Sequence, residues 1–201
     1  MRMYSEDHLY GAWVAVQTLC RSEKTVAEYL FSRGYECFLP LQYKYEYRIT
    51  PVPRNSKRLA TVPLFDGYLF CKYKVERNFR IADTRNVIRV LSHKGIPAVI
   101  PDIEIESLKK VVASGLSMEP CQFIQADQGV CVKSVPLNGA DFKTFLKSGQ
   151  KVRINSVPLK EVEGYFVQVV GKDTCKIAVG VSVLQKSVLI SLLNADISVV
   201  L

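Results

Sequence analysis

Residues 62–73 read VPLFDGYLFCKY, and the way this stretch folds governs the reading of everything before and after it. Pro63, Asp66 and Gly67 mark a turn. Behind the turn, Tyr68-Leu69-Phe70-Cys71 is apolar at consecutive positions, so as a strand it carries large side chains on both faces. Leu69, Cys71 and Tyr73 share one face and are expected to enter a core. Tyr68, Phe70 and Lys72 share the other, where core packing and a partner surface are the two alternatives.

Working outward, residues 12–18 (AWVAVQT) alternate as a first strand, with Val14 and Val16 on one face and Trp13, Ala15 and Gln17 on the other. A helix follows, with Ser22 as its N-cap, a stripe of Val26, Ala27, Leu30 and Phe31, and Gly34 at its C-terminal cap. Residues 35–43 form a second strand. Residues 44–60, KYEYRITPVPRNSKRLA, set Lys44, Arg48, Arg54, Lys57 and Arg58 against Glu46 alone and interleave tyrosines and prolines, the pattern of an exposed hairpin or loop. After the opening stretch, the third strand, come a short helix over 75–83, a fourth strand over 87–91 and a turn at Ser92-His93-Lys94-Gly95. Asp102 caps a helix that runs to about residue 113, with Ile105, Leu108, Val111 and Val112 as its apolar stripe.

Beyond Ser114-Gly115 the pattern is interrupted by Pro120, Gly129, Pro136, Asn138 and Gly139, so residues 114–146 read as a linker. SVPL stands at both 134–137 and 156–159, either a shared turn sequence or an internal repeat. From residue 147 on, only short β-rich segments occur, at 151–154, 164–170, 175–181, 187–192 and 197–200. Their spacing predicts a small barrel or sandwich. VLISLLNA at 188–195 would suit a helix in isolation, but its Val and Ile favour strand.

The chain has 201 residues, is 48% hydrophobic and carries a net charge of +8, enough apolar material for one or two ordinary domains. Residues 1–112 hold 18 Lys/Arg against 12 Asp/Glu, a net +6, and 113–201 hold 9 against 7, a net +2, so a polyanion-facing surface belongs to the first part. Six scattered cysteines without a CxxC pair, and only His8 and His93, suggest neither a zinc site nor a disulfide framework. Without a signal-peptide pattern or an apolar run of membrane-spanning length, a soluble cytoplasmic protein with no membrane partner is expected. No nucleophile elbow, phosphate-binding loop or metalloprotease motif occurs, and Asp102, Glu104 and Glu106 read as charges favoured at a helix start. No catalytic residue, metal or cofactor is expected, and hence no enzyme.

Taken in order, Trp13, Glu23-Lys24, Phe38-Leu39-Pro40, PLFDGYLF at 63–70, Thr84-Arg85, IPAVIPDIEIESLKK at 96–110 and GQKVRINSVPLKEVEGYFVQVVGK at 149–172 resemble the NusG family of transcription elongation factors. Within it, the chain looks most like the specialised paralogues RfaH and the UpxY-type antiterminators of polysaccharide operons. The resemblance implies an α+β NGN domain over 10–113, an antiparallel four-stranded sheet with helices, then the linker and a small all-β SH3-like KOW barrel over 147–201. The turn before Tyr68 is Asp-Gly rather than the family's Pro-Gly, and Val62 stands where RfaH has an acid. Arg77-Asn78-Phe79 occupy the place of its polymerase-contacting triplet, so its autoinhibition and fold switching do not carry over.

The resemblance further implies that an uncovered sheet face bearing Trp13, Gln17, Phe65, Tyr68 and Phe70 docks on the clamp helices of RNA polymerase's largest subunit. Lys24, Arg48, Arg54, Lys57, Arg58 and Arg85 become candidates for contact with non-template DNA or nascent RNA, and the KOW barrel for contact with a ribosomal protein. Two other functions remain open at this point: an RNA- or ribosome-binding KOW protein that does not act on polymerase, and a general housekeeping NusG.

Overall fold

The computed structural model describes residues 9–47, 57–74, 80–122, 149–170, 174–193 and 197–200. In chain order the first part contains β1 (Trp13–Thr18), α1 (Glu23–Ser32), β2 (Cys37–Phe38), β3 (Leu41–Tyr47), β4 (Lys57–Pro63), β5 (Tyr68–Lys72), β6 (Val87–Val90), β7 (Ser92–His93), β8 (Ile96–Pro97), β9 (Val99–Ile100) and α2 (Asp102–Ala113). The first sheet has the order β2-β5-β1-β6, with β9 pairing the opening residues of β1, and every pairing is antiparallel. The expected NGN-type content of an antiparallel sheet with helices is present. Phe31, however, is exposed instead of lying in the α1 stripe, where Val26 and Leu30 are buried and Ala27 packs half-buried beside them.

The second strand is interrupted at Leu39-Pro40, because Pro40 has no amide hydrogen to continue a ladder and its carbonyl instead accepts from Leu64 N at 2.8 Å. β3 then pairs with β4 as a separate hairpin, the expected form of the 44–60 tract. Of the short helix expected over 75–83, a single 3-10 turn at Ile81–Asp83 is seen, residues 75–79 lying outside the described residues. Lys94 and Gly95 both take positive φ, 51° and 81°, the backbone that a tight β7–β8 hairpin demands.

The second part contains β10 (Met118–Gln122), β11 (Lys151–Ile154), β12 (Glu163–Val170), β13 (Thr174–Val181), β14 (Lys186–Leu193) and β15 (Ile197–Val199). All five β segments expected after residue 147 are strands, including the Leu-rich one. They join β10 in a six-stranded antiparallel sheet of order β10-β14-β13-β12-β11-β15. Among the described residues β10 and β15 end this path unpaired with one another, so a closed barrel is not seen in the pairing. Part of the segment read as a linker is thus a strand; Pro120 is tolerated because β10 is an edge strand. The rest of that segment, with the first SVPL, lies outside the described residues. The second SVPL forms a turn with a cis Val157–Pro158 bond.

Packing follows from strand alternation. Val14, Val16, Leu69 and Cys71 face α1 and pack with Val26, Leu30, Tyr35 and Ile81. Trp13, Ala15 and Phe70 face the other way, toward Ile105, Leu108 and Val111 of α2, in an apolar cluster that continues into Val152, Phe166, Ile177 and Val188 of the second sheet. Helix α2 packs against β12 and β13. The first sheet is therefore covered on both faces.

Candidate functional site

The register of β1 against β5 sets Trp13 opposite Lys72, Ala15 opposite Phe70 and Gln17 opposite Tyr68, while β2 sets Phe38 opposite Phe70. Directly opposed residues point to the same side of a sheet, so one face gathers Trp13, Phe38, Tyr68 and Phe70 around the small Ala15. Phe70 lies at its centre, stacked on Phe38 with ring centroids 6.1 Å apart and met edge-on by Phe65 at 6.2 Å. Lys72 and Lys109 place ammonium groups 5.4 and 4.9 Å from the centre of the Trp13 ring. Gln17 closes the margin, its Oε1 accepting from Arg89 Nε at 2.8 Å. Four of the five residues expected on this face, Trp13, Gln17, Tyr68 and Phe70, are brought together by the strands, and Phe65 joins them from the turn.

This face is not uncovered. Trp13 and Phe65 are 2% exposed and Phe70 is 0% exposed, because α2 and the second sheet lie against them. The expected uncovered face is covered because α2 lies on the other side of the sheet from α1. Lys186 of β14 sits 4.7 Å above the Tyr68 ring. Three polar contacts along α2 fasten the two parts: Glu104 Oε2 accepts from Ser182 N at 3.0 Å, Ser107 Oγ accepts from Glu163 N at 3.2 Å, and Lys110 Nζ donates to Lys160 O at 3.0 Å. A cleft remains between the parts, with Arg21, Lys44, Asp66 and Lys186 on its walls.

The turn that presents Phe65 and Tyr68 is held by a buried carboxylate. Gly67, at φ 78°, donates its N–H to Glu23 Oε1 at 2.7 Å, and its carbonyl accepts from Thr18 N at 2.9 Å. Glu23 is the first residue of α1 and only 2% exposed, so the helix N-terminus and the glycine amide are its compensating partners. Glu23→Ala is expected to lower stability by about 1–3 kcal/mol, the cost of a part-buried donor left unpaired, and Glu23→Gln by less because its amide oxygen still accepts. Urea unfolding of the two variants checks the order.

A model of the family described as "Transcription termination factor nusG" matches residues 11–109, the span that holds the first sheet, both helices and the aromatic face. These residues form a NusG-family domain. Among solved structures, "Domain interaction in Thermotoga maritima NusG" shares 17% identity at a TM-score of 0.50, covering 93% of this chain and 96% of that one. The "MjSpt4:Spt5 complex" in conformation A shares 15% identity over 94% of this chain and 97% of that one, at a TM-score of 0.25. No curated protein matches the chain. Residues 11–109 are thus homologous to NusG transcription factors, and no helix among the described residues is long and apolar enough to cross a membrane.

In the NusG domain the expected basic residues are dispersed. Lys24 is exposed at the start of α1 and donates to Thr61 O of β4 at 2.6 Å, tying helix to hairpin. Arg85 is exposed beside the buried Thr84. Lys57 and Arg58 lie on β4, while Arg48 and Arg54 fall outside the described residues, as do Arg77, Asn78 and Phe79. On the hairpin, Tyr43 and Tyr45 point to one side with Leu59 and all three are exposed. Sequence reasoning missed Phe38, Arg89, Lys109 and Lys186 as parts of the face. Only Phe38 had a local signal, its place in the family-like Phe-Leu-Pro; the others arrive through pairings distant in sequence.

Glu163 joins the second sheet to this assembly. Its carboxylate holds Lys151 at 2.8 Å and Arg153 at 2.6 Å, and those hydrogen bonds keep its pKa below the ordinary 4.5. A carboxylate with a depressed folded-state pKa contributes stability above its unfolded value and loses it as the pH falls through the folded value. Acidification below about pH 4.5 is therefore expected to loosen β11 from β12 and, through the Ser107 contact, the grip on α2. Glu163→Gln should flatten the acid limb of a melting-temperature profile; an unchanged limb would contradict the assignment.

Proposed function

We propose that this chain is a non-enzymatic transcription elongation and antitermination factor that binds RNA polymerase through the aromatic face of its NusG domain. The carrying observation is the Trp13, Phe65, Tyr68 and Phe70 surface, built around β5 within the span that the family model matches. Large aromatics in a desolvated patch are the side chains that dominate protein interfaces. The partner is the clamp-helix pair of the polymerase's largest subunit. The likeness of PLF-x-x-YLF to RfaH and UpxY-type proteins supports service to one operon of surface-polysaccharide type.

In the closed arrangement this face belongs to α2 and the second sheet, so the second sheet must lift before polymerase can dock. Once free, an SH3-like KOW module is suited to recruiting a ribosomal or RNA partner. The hairpin, exposed at Tyr43 and Tyr45 and carrying Lys57 and Arg58 in the sequence of β4, together with Lys24 and Arg85, is suited to single-stranded non-template DNA or nascent RNA.

Pull-down of core polymerase with Tyr68→Ala tests the reading. Loss of an interface aromatic costs about 2 kcal/mol, roughly thirtyfold in affinity. The same substitution also removes the Lys186 contact that favours closure, an opposing effect of only about 0.5–1 kcal/mol. A net loss of binding is expected, and wild-type binding would sink the assignment. Retention of ribosomal material by residues 147–201, with no polymerase on residues 1–113, would favour an RNA- or ribosome-binding role instead.

A further inference from the structure

The fold brings together two cysteines whose spacing in sequence gave no sign of it. Cys37 and Cys71 face each other directly across the β2–β5 pair, their sulfurs 3.6 Å apart in a thiol–thiol hydrogen bond. Opposed residues of antiparallel strands have Cα atoms about 4.5–5.5 Å apart, inside the range of about 4.4–6.8 Å that a disulfide spans. Bond formation requires the sulfurs to close to about 2.05 Å. β2 can supply that movement, because it is a two-residue strand at the sheet edge whose sole ladder partner among the described residues is β5. Cys37 is partly exposed and Cys71 is fully buried, so a small oxidant reaches Cys37 first.

We propose that Cys37 and Cys71 form a reversible redox clasp, oxidised to a cross-strand disulfide by hydrogen peroxide. The hydrogen bond shared with Cys71 lowers the Cys37 pKa, whereas that bond and burial raise the Cys71 pKa, which together with the partial exposure of Cys37 assigns the attacking thiolate to Cys37. Cys37 sulfur attacks one peroxide oxygen and breaks the O–O bond, giving a sulfenic acid and a hydroxide that takes up a proton to leave as water. Cys71 then gives up its proton and attacks the Cys37 sulfur, expelling the remaining oxygen as a second water. Two thiols lose two electrons and one peroxide becomes two waters. The new bond fixes β2 to β5 immediately beneath the Phe38–Phe70 stack on the opposite face, beside the existing Glu36–Lys72 ion pair of 3.0 Å.

The test treats reduced full-length protein with hydrogen peroxide, blocks remaining thiols with iodoacetamide and maps peptides by mass spectrometry without reduction. The expected result is a cross-linked peptide joining Cys37 to Cys71, their loss from the six alkylatable cysteines, and return of both with dithiothreitol. Cys71→Ser should trap Cys37 as a sulfenic acid that dimedone labels. If that variant fails to fold by circular dichroism, the wild-type map decides alone. Oxidation confined to the exposed Cys20, or covalent dimers with Cys37 and Cys71 still alkylated, would overturn the proposal.

Discussion

Phe70→Ala is expected to destabilise the protein by about 3–5 kcal/mol, the usual cost of emptying a large aromatic site in a packed core. Phe70 is completely buried, its ring in contact with Phe38 on one side and Phe65 on another, and it stands opposite Ala15, which is too small to fill the space. The cavity would open where the first sheet, α2 and the second sheet share one apolar cluster. Guanidinium unfolding measures the loss directly, and a change below about 1 kcal/mol would mean that the neighbouring rings collapse into the vacancy. Because the cost is comparable with the whole stability of many domains, lost polymerase binding by this variant would not distinguish a missing contact from a missing fold. Tyr68, half-buried at the edge of the cluster, is the better probe of binding.

The second large effect is a gain. Glu104, Ser107 and Lys110 follow one another at three-residue intervals on α2 and each bonds a backbone group of the second sheet or its turns. Replacing all three by alanine removes contacts worth about 0.5–1.5 kcal/mol each. With the usual non-additivity, closure should weaken by about 2–3 kcal/mol, a shift of roughly 30- to 150-fold in the closed-to-open ratio. When the competent state is a minor one, apparent affinity scales with its population. The triple variant should therefore bind polymerase up to that much more tightly, while its first sheet, which these side chains do not bond, stays folded. Binding by surface plasmon resonance that is unchanged or weaker would show that the second sheet does not compete for the face.

The sequence was legible wherever a local rule operated. The alternation of Val152 and Ile154 with Lys151 and Arg153, the stripe of Ile105, Leu108 and Val111, and the turn at Gly67 each announce their elements within a few residues. Tyr68 and Phe70 could be assigned to one face and Leu69 and Cys71 to the other because a strand has a period of two. What covered those faces could not be read so locally. The side of the sheet on which α2 lies depends on the path through β6–β9, and the docking of the second sheet rests on contacts such as Glu104 with Ser182 and Tyr68 with Lys186, far apart in sequence. Glu23 stood in the sequence only as part of the family-like Glu23-Lys24 pair, and only the return of Gly67 to α1 reveals it as a buried brace. The cysteine pair is the same kind of case, visible only once β2 and β5 lie side by side.

The continuous apolar cluster beneath the second sheet also bears on how the molecule survives between encounters. The apolar side chains that the second sheet covers would form, if laid bare in water, a sticky patch, the kind of surface through which proteins associate with themselves. The second sheet therefore acts as a resident cover for these side chains. A NusG domain severed from it should foul its own solutions, precipitating at concentrations where the intact chain stays clear.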